Sequence, residues 1–99
     1  MHARSGSLKV SPDRVDDAVQ AFESEQLPKY KDMSGYKGFT LLADRGSGQI
    51  LGVSFWETED DLRASDELGA EARAQLRDTG VASEDAVRQV WEVVVDDTA

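Results

Sequence analysis

The sequence predicts an α+β fold of order β-α-β-β-α-β, and three observations carry that expectation. Residues 49–56, Gln-Ile-Leu-Gly-Val-Ser-Phe-Trp, read as a strand that is apolar on both faces and runs directly into an acidic helix start. The preceding Asp44-Arg45-Gly46-Ser47-Gly48 has the composition of a hairpin turn, so an apolar strand before it pairs antiparallel with the first. Two stretches with apolar residues at helical spacing lie outside this hairpin, one on each side.

Taken in order, the first strand runs from His2 to Val10, with Arg4, Gly6, Leu8 and Val10 on one face. Ser11-Pro12-Asp13 opens the first helix. Ser11 is expected to cap, Pro12 suits the first helical position and Asp13 complements the dipole. Val15, Ala18, Val19, Phe22, Gln26 and Leu27 form its buried stripe. Pro28 is expected to end or distort it, because the proline ring removes a donor and crowds the carbonyl four residues back. Lys29 to Gly35 reads as a polar connection.

The second strand spans Tyr36 to Ala43, with Phe39 and Leu41 on one face and Tyr36, Thr40 and Leu42 on the other. In the third, Ile50, Gly52, Ser54 and Trp56 face one way and Leu51, Val53 and Phe55 the other. Thr58 caps the second helix, whose first turn holds Glu59, Asp60 and Asp61. Its stripe is Leu62, Ser65, Leu68, Gly69, Ala72 and Leu76, with a kink expected near Gly69 and a stop at Thr79-Gly80. Ala82 to Asp85 is a loop, and Val87 to Val95 the last strand, with Val87, Trp91, Val93 and Val95 opposite Val90 and Val94.

This order is the split βαβ, ferredoxin-like arrangement. Two helices cover one face of a four-stranded sheet, and here the other face is apolar too. A symmetric homodimer with a barrel or sandwich of two sheets between the subunits covers it. Leu51, Val53 and Phe55 are the more uniformly apolar set and are assigned to that interface. Gly52 and Ser54 leave missing volume beside Trp56, which suits a pocket on the helix side.

The 99 residues, 1–99, are read as a single domain. The net charge of −9 repels phosphate backbones, so no nucleic-acid partner is expected. No apolar run is long enough to cross a membrane, Met1 to Gly6 lacks the apolar core of a signal peptide, and cysteine is absent. A cytoplasmic protein with no membrane partner is the expectation. One histidine, no cysteine and acids in helical runs offer no metal cluster, and the pairs Asp16-Asp17 and Asp60-Asp61 read as helix-surface acids. Gly46-Ser47-Gly48 lacks the lysine and helix start of a phosphate loop, and nothing places His2 beside a nucleophile.

Trp56 is the main candidate, since an indole stacks on a planar aromatic and offers one N–H; its alternative is a core residue filling volume over Gly52 and Ser54. Phe22 is a core residue or a pocket wall. Tyr36 donates a hydrogen bond into the cleft or lies on the surface. Arg4 neutralises a phenolate or carboxylate, or is a solvated strand residue. Trp91 belongs to the core or the dimer interface.

Gly35-Tyr36-Lys37-Gly38-Phe39 before the hairpin, and the strand end Phe55-Trp56-Glu57-Thr58, resemble the antibiotic biosynthesis monooxygenase (ABM) domain of the dimeric α+β barrel superfamily. The resemblance runs from about Ala3 to Val95. It implies a dimeric α+β barrel with one pocket per subunit between sheet and helices, lined by Trp56. It also implies either oxidation of aromatic, polyketide-like anthrones by O2 with no flavin or metal cofactor, or, in haem-degrading relatives, a haem in the same cleft. The chain departs from both patterns. It has no Asn, with Gly52 and Gly6 where the two groups carry one, and Ser65 and Asp66 stand near the helix position of the haem-binding His. The resemblance implies a cofactor-independent monooxygenase with Trp56 on the pocket wall, and the residues themselves add Tyr36 beside Trp56 as a catalytic donor, with Trp56, Ser54, Gly52, Phe22 and Arg4 around a small aromatic substrate. A non-catalytic dimeric ligand-binding protein of the same fold is one alternative, and a dimeric module whose barrel is only structural is another; a pocket filled by side chains favours the last.

Overall fold

The computed structural model describes residues 1–68, 70, 71, 74 and 87–97. Among them are the strands β1 (His2–Lys9), β2 (Tyr36–Asp44), β3 (Gln49–Trp56) and β4 (Val87–Glu92), which form one sheet of order β2-β3-β1-β4. All three pairings are antiparallel. Three helices, α1 (Val15–Ala21), α2 (Leu27–Lys31) and α3 (Glu59–Ala64), complete the β-α-β-β-α-β order, with α1 and α2 joined in one helical run.

That run starts at a tight turn, Pro12–Arg14, with Pro12 where it was expected. Ser11 does not cap with its side chain; its carbonyl instead accepts from the Arg14 N–H at 2.8 Å. Pro28 distorts the helix without ending it. A π turn, Phe22–Gln26, lies just before it, and the Leu27 N–H bonds the Phe22 carbonyl five residues back. The wider turn accommodates the ring and missing donor of the proline, and the chain stays helical to Lys31. The expected polar connection is therefore shorter, and Tyr30, inside it, is a core residue only 6% exposed.

A second difference lies in β2. Tyr36 opposes Trp56 and Gly38 opposes Phe55, so Lys37 is an extra residue in a bulge. The bulge moves Tyr36 to the face that carries Phe39, although alternation alone puts the two on opposite faces. The hairpin turn is built as its composition implies: Asp44 Oδ1 accepts from the Gly46 N–H at 3.0 Å, and the Gly48 N–H bonds the Asp44 carbonyl at 2.8 Å. Thr58 caps α3, with its Oγ1 accepting from the Asp61 N–H at 3.1 Å. The helix breaks at Ser65, ahead of the expected kink, and residues 66–68 are again helical. Gly69, Ala72, Leu76, Thr79-Gly80 and the Ala82–Asp85 loop lie outside the described residues. The last strand ends at Glu92 and not at Val95.

The core divides in two along the helix side of the sheet. Val10, Val15, Ala18 and Ile50 pack at the hairpin end, flanked by Leu8, Val19 and Leu41. Tyr30, Trp56 and Leu62 pack at the other, flanked by Phe22, Met33, Tyr36, Phe39 and Leu68. On the opposite face Leu51, Val53 and Phe55 are half-buried, Leu42 is 52% exposed and Trp91 48%.

Candidate functional site

The strand register decides which side chains meet. Residues directly opposite on antiparallel strands share a face. Tyr36, Trp56, His2 and Glu92 make one row across the helix side of the sheet, and Phe39, Ser54, Arg4 and Val90 make the next. The third row is Leu41, Gly52, Gly6 and Arg88. All the residues singled out from the sequence on β1, β2 and β3 thus lie on one face, and Phe22 approaches it from the helix above.

Trp56 is wholly buried. Its indole N–H donates to Ser54 Oγ at 2.9 Å, two residues back on the same strand face. Tyr36 meets the indole nearly edge-on, with ring centroids 5.8 Å apart. Tyr30 lies 6.2 Å from Trp56, 5.4 Å from Phe39 and 6.0 Å from Phe22, and Phe22 and Phe39 are 4.6 Å apart. Five aromatic rings therefore form one cluster. The missing volume expected above Gly52 is filled: a Cβ built there would sit 3.0 Å from the Phe39 ring and 3.4 Å from Leu41. Burial raises the Tyr36 phenol above its ordinary pKa, so it stays a neutral donor.

Arg4 is not a solvated strand residue. It is 6% exposed, and its guanidinium donates to the Leu62 carbonyl at 2.8 Å, to Ser65 Oγ at 3.1 Å and to the Asp66 carboxylate. Ser65 Oγ itself donates to the Leu62 carbonyl at 2.6 Å. A cation bound to the carbonyls at the last turn of α3 complements the dipole there and ties the helix to β1. Burial, and then the nearby Arg88, pull the Arg4 pKa below its ordinary value, against the pull of Asp66. Arg88 also reaches Asp66, at 3.4 Å, so two arginines face one carboxylate. Arg4 Nε is buried and has no hydrogen-bond partner.

Two residues of this face escaped the sequence reading. Tyr30 was hidden in a stretch of lysines after a proline, although its spacing of four from Gln26 continues the buried stripe. His2 was set aside as an end residue, yet it stands opposite Trp56, with its Nδ1 buried and unpartnered. Trp91 points to the other face, with its N–H bonded to Ser5 Oγ at 2.8 Å.

The donor set does not suit a haem held by the second helix. Ser65 is buried and bonded to a guanidinium, and Asp66 is paired with two. Among the described residues no group of three His, Cys, Asp or Glu is placed to hold a metal ion. Nor is any described helix long and apolar enough to cross a membrane.

Comparison with solved structures identifies the fold. The chain superimposes on a monooxygenase from the gene ActVA-Orf6 of Streptomyces coelicolor, in complex with nanaomycin D, with a TM-score of 0.81 and 15% identity, over 99% of this chain and 91% of that one. The haem-degrader MhuD of Mycobacterium tuberculosis, with two haems in its active site, gives 0.76 at 22% identity, over 99% and 100%. A putative antibiotic biosynthesis monooxygenase from Nitrosomonas europaea gives 0.75 at 14%, over 94% and 89%. No family model matches the sequence. In sequence the chain is similar to two uncharacterized proteins of Mycobacterium tuberculosis strain H37Rv. One is 34% identical over 73 residues, 74% of this chain and 31% of the relative, and the other 31% identical over 67 residues, 68% and 30%. The match thus spans about a third of the length of these curated relatives.

Proposed function

We propose that this chain, which has the fold of the antibiotic biosynthesis monooxygenases, is a dimeric, cytoplasmic oxidoreductase that oxygenates a hydroxylated aromatic, polyketide-like substrate without a cofactor. The observation that carries the reading is the union, on one sheet face, of an aromatic cluster around Trp56 with the buried guanidinium of Arg4. The nanaomycin D complex of a protein with this fold at 15% identity supports the cleft as a place for flat polycyclic ligands.

The chemistry divides between substrate and protein. An anthrone gives up a proton to become an electron-rich anion, and that anion reduces O2. The methylene carbon ends as a carbonyl holding one oxygen atom, and the other oxygen leaves as water with the two hydrogens. Arg4 stabilises the anion, and the neutral Tyr36 phenol donates a hydrogen bond to developing negative charge. His2 is assigned as the proton acceptor, a role supported by its place opposite Trp56 and its buried, unpartnered Nδ1. Trp56 works as a stacking wall, since its N–H is already engaged by Ser54. Phe22 closes the opposite wall, Ser54 lies beside the indole, and Gly52 lets the Phe39 ring pack close to the sheet.

Dithranol, a dihydroxylated anthrone, provides the test. With a chelator present, the protein should accelerate its O2 consumption, and Tyr36→Phe should slow the catalysed rate by about a hundredfold. Saturable quenching of Trp56 by dithranol without O2 consumption would favour the second reading, a non-catalytic ligand-binding protein.

A further inference from the structure

Tyr30 packs against three of the other four rings of the aromatic cluster. Its ring lies among Phe22, Phe39 and Trp56, and Phe39 and Leu41 already fill the space over Gly52. Its surroundings continue beyond the ring. Leu62 packs in the same cluster as Tyr30 and Trp56, Arg4 donates to the Leu62 carbonyl at 2.8 Å, and Arg4 Nε is a buried donor with no acceptor. A phenol set between aromatic walls, near a guanidinium with a donor to spare, describes both Tyr30 and a phenolic ligand.

The element that carries Tyr30 is lightly held. α2 has five residues, of which Pro28, Lys29 and Lys31 are exposed and Leu27 is half-buried. It begins after the π turn at Phe22–Gln26, and the chain beyond it turns at Gly35, where φ is +78°. Tyr30, 6% exposed, is its one buried side chain, and Lys29 adds only an exposed ion pair with Glu71 at 2.8 Å, so the free energy that seats α2 is concentrated in the Tyr30 ring.

We propose that Tyr30 is a built-in occupant of the ligand subsite, and that a phenol-bearing flat aromatic binds by displacing the Tyr30 ring from Trp56 and presenting its own oxygen to Arg4 Nε. This rests on the reading of the cleft given above and adds a residue that sets its specificity. A ligand that must first displace a side chain binds with its intrinsic affinity reduced by the fraction of molecules with the site open. Removing the ring removes that reduction.

The test uses the Trp91→Phe chain, so that Trp56 is the reporting indole. In that background Tyr30→Ala should bind dihydroxyanthraquinone, a planar phenolic probe, about tenfold or more tighter than Tyr30 does, because the competing ring is gone. The same variant should bind p-cresol more tightly than toluene, which has the same ring and methyl group and lacks the hydroxyl. Equal anthraquinone affinity with and without Tyr30, weaker binding by Tyr30→Ala, or equal binding of p-cresol and toluene would overturn the proposal, while dithranol oxidation by the parent left the oxygenase reading intact. Conversely, selective p-cresol binding in a protein that ignores both tricyclic compounds would keep the phenol subsite and remove the oxygenase reading. If Tyr30→Ala does not fold, the parent protein decides: the saturating anthraquinone should speed tryptic cleavage after Lys29 as α2 leaves the cluster, and protection there would refute the displacement.

Discussion

At the residue scale, one cross-strand pair shows how context assigns a role. Arg4 and Ser54 are opposite one another, and each satisfies a neighbour: Ser54 the Trp56 N–H, Arg4 the end of α3. Nothing in the local sequence distinguishes Arg4 from a solvated arginine. Its burial follows from a long-range partner, Ser65, 61 residues away. Tyr36 makes the complementary case. Burial raises its pKa, so the folded state holds the phenolic proton more tightly than the unfolded chain does. The linked stability is fully present below the ordinary tyrosine value, about 10, and is lost as pH rises through the higher folded value. An absorbance titration of the phenolate should therefore show a step above the free-tyrosine range that is missing in Tyr36→Phe. A Tyr36 step at or below that range would contradict its burial.

At the element scale, sequence periodicity located the strands and helix starts because each has a local cause. Alternation fixed the faces of β3, Thr58 announced α3, and the Asp/Gly composition announced the hairpin. Two of the readings that changed are places where one residue alters the count. Lys37 adds a residue to β2 and carries Tyr36 to the site face; the π turn adds one before Pro28 and keeps the helix intact to Tyr30. Neither insertion leaves a periodic trace. Phe39 over Gly52 is similarly invisible, because a glycine in a strand signals close approach without naming what approaches. The hairpin offers a sharper test. Gly48 has φ +82°, its carbonyl accepts from the Val10 N–H at 2.9 Å, and a Cβ there would run into the Val10 carbonyl. Gly48→Ala should destabilise the fold by about 1–3 kcal/mol from backbone strain alone, with more added by the collision. Gly46→Ala, whose Cβ would meet only the Asp44 carboxylate at 3.4 Å, should cost much less. Urea denaturation of the two variants compares them directly.

At the scale of the whole molecule, the sheet has one face under helices and one that, among the described residues, no helix covers. On the second, Leu51, Val53, Phe55, Leu42 and Trp91 surround Ser5, Ser7 and Thr40, with Ala3 between Phe55 and Trp91. A second copy of the same face is the occupant we propose, since a two-fold pairing of sheets buries the same residues on both sides at once. Each fully buried Leu, Val or Phe side chain contributes roughly 1.5–3 kcal/mol, and only the part of each that is still exposed is what pairing would remove from water. Val53 is the residue on which to test this, because it lies on β3, an interior strand of the sheet, where a charge has no route to solvent once two sheets meet. Val53→Lys should convert a dimer into a monomer, or raise the concentration at which it dissociates by orders of magnitude. The helix-side cluster, on the opposite face, should keep its Trp56 environment in that monomer. Light scattering that finds the unmodified protein monomeric at micromolar concentration would end the proposal. The apolar sheet face would then require a partner of a different kind.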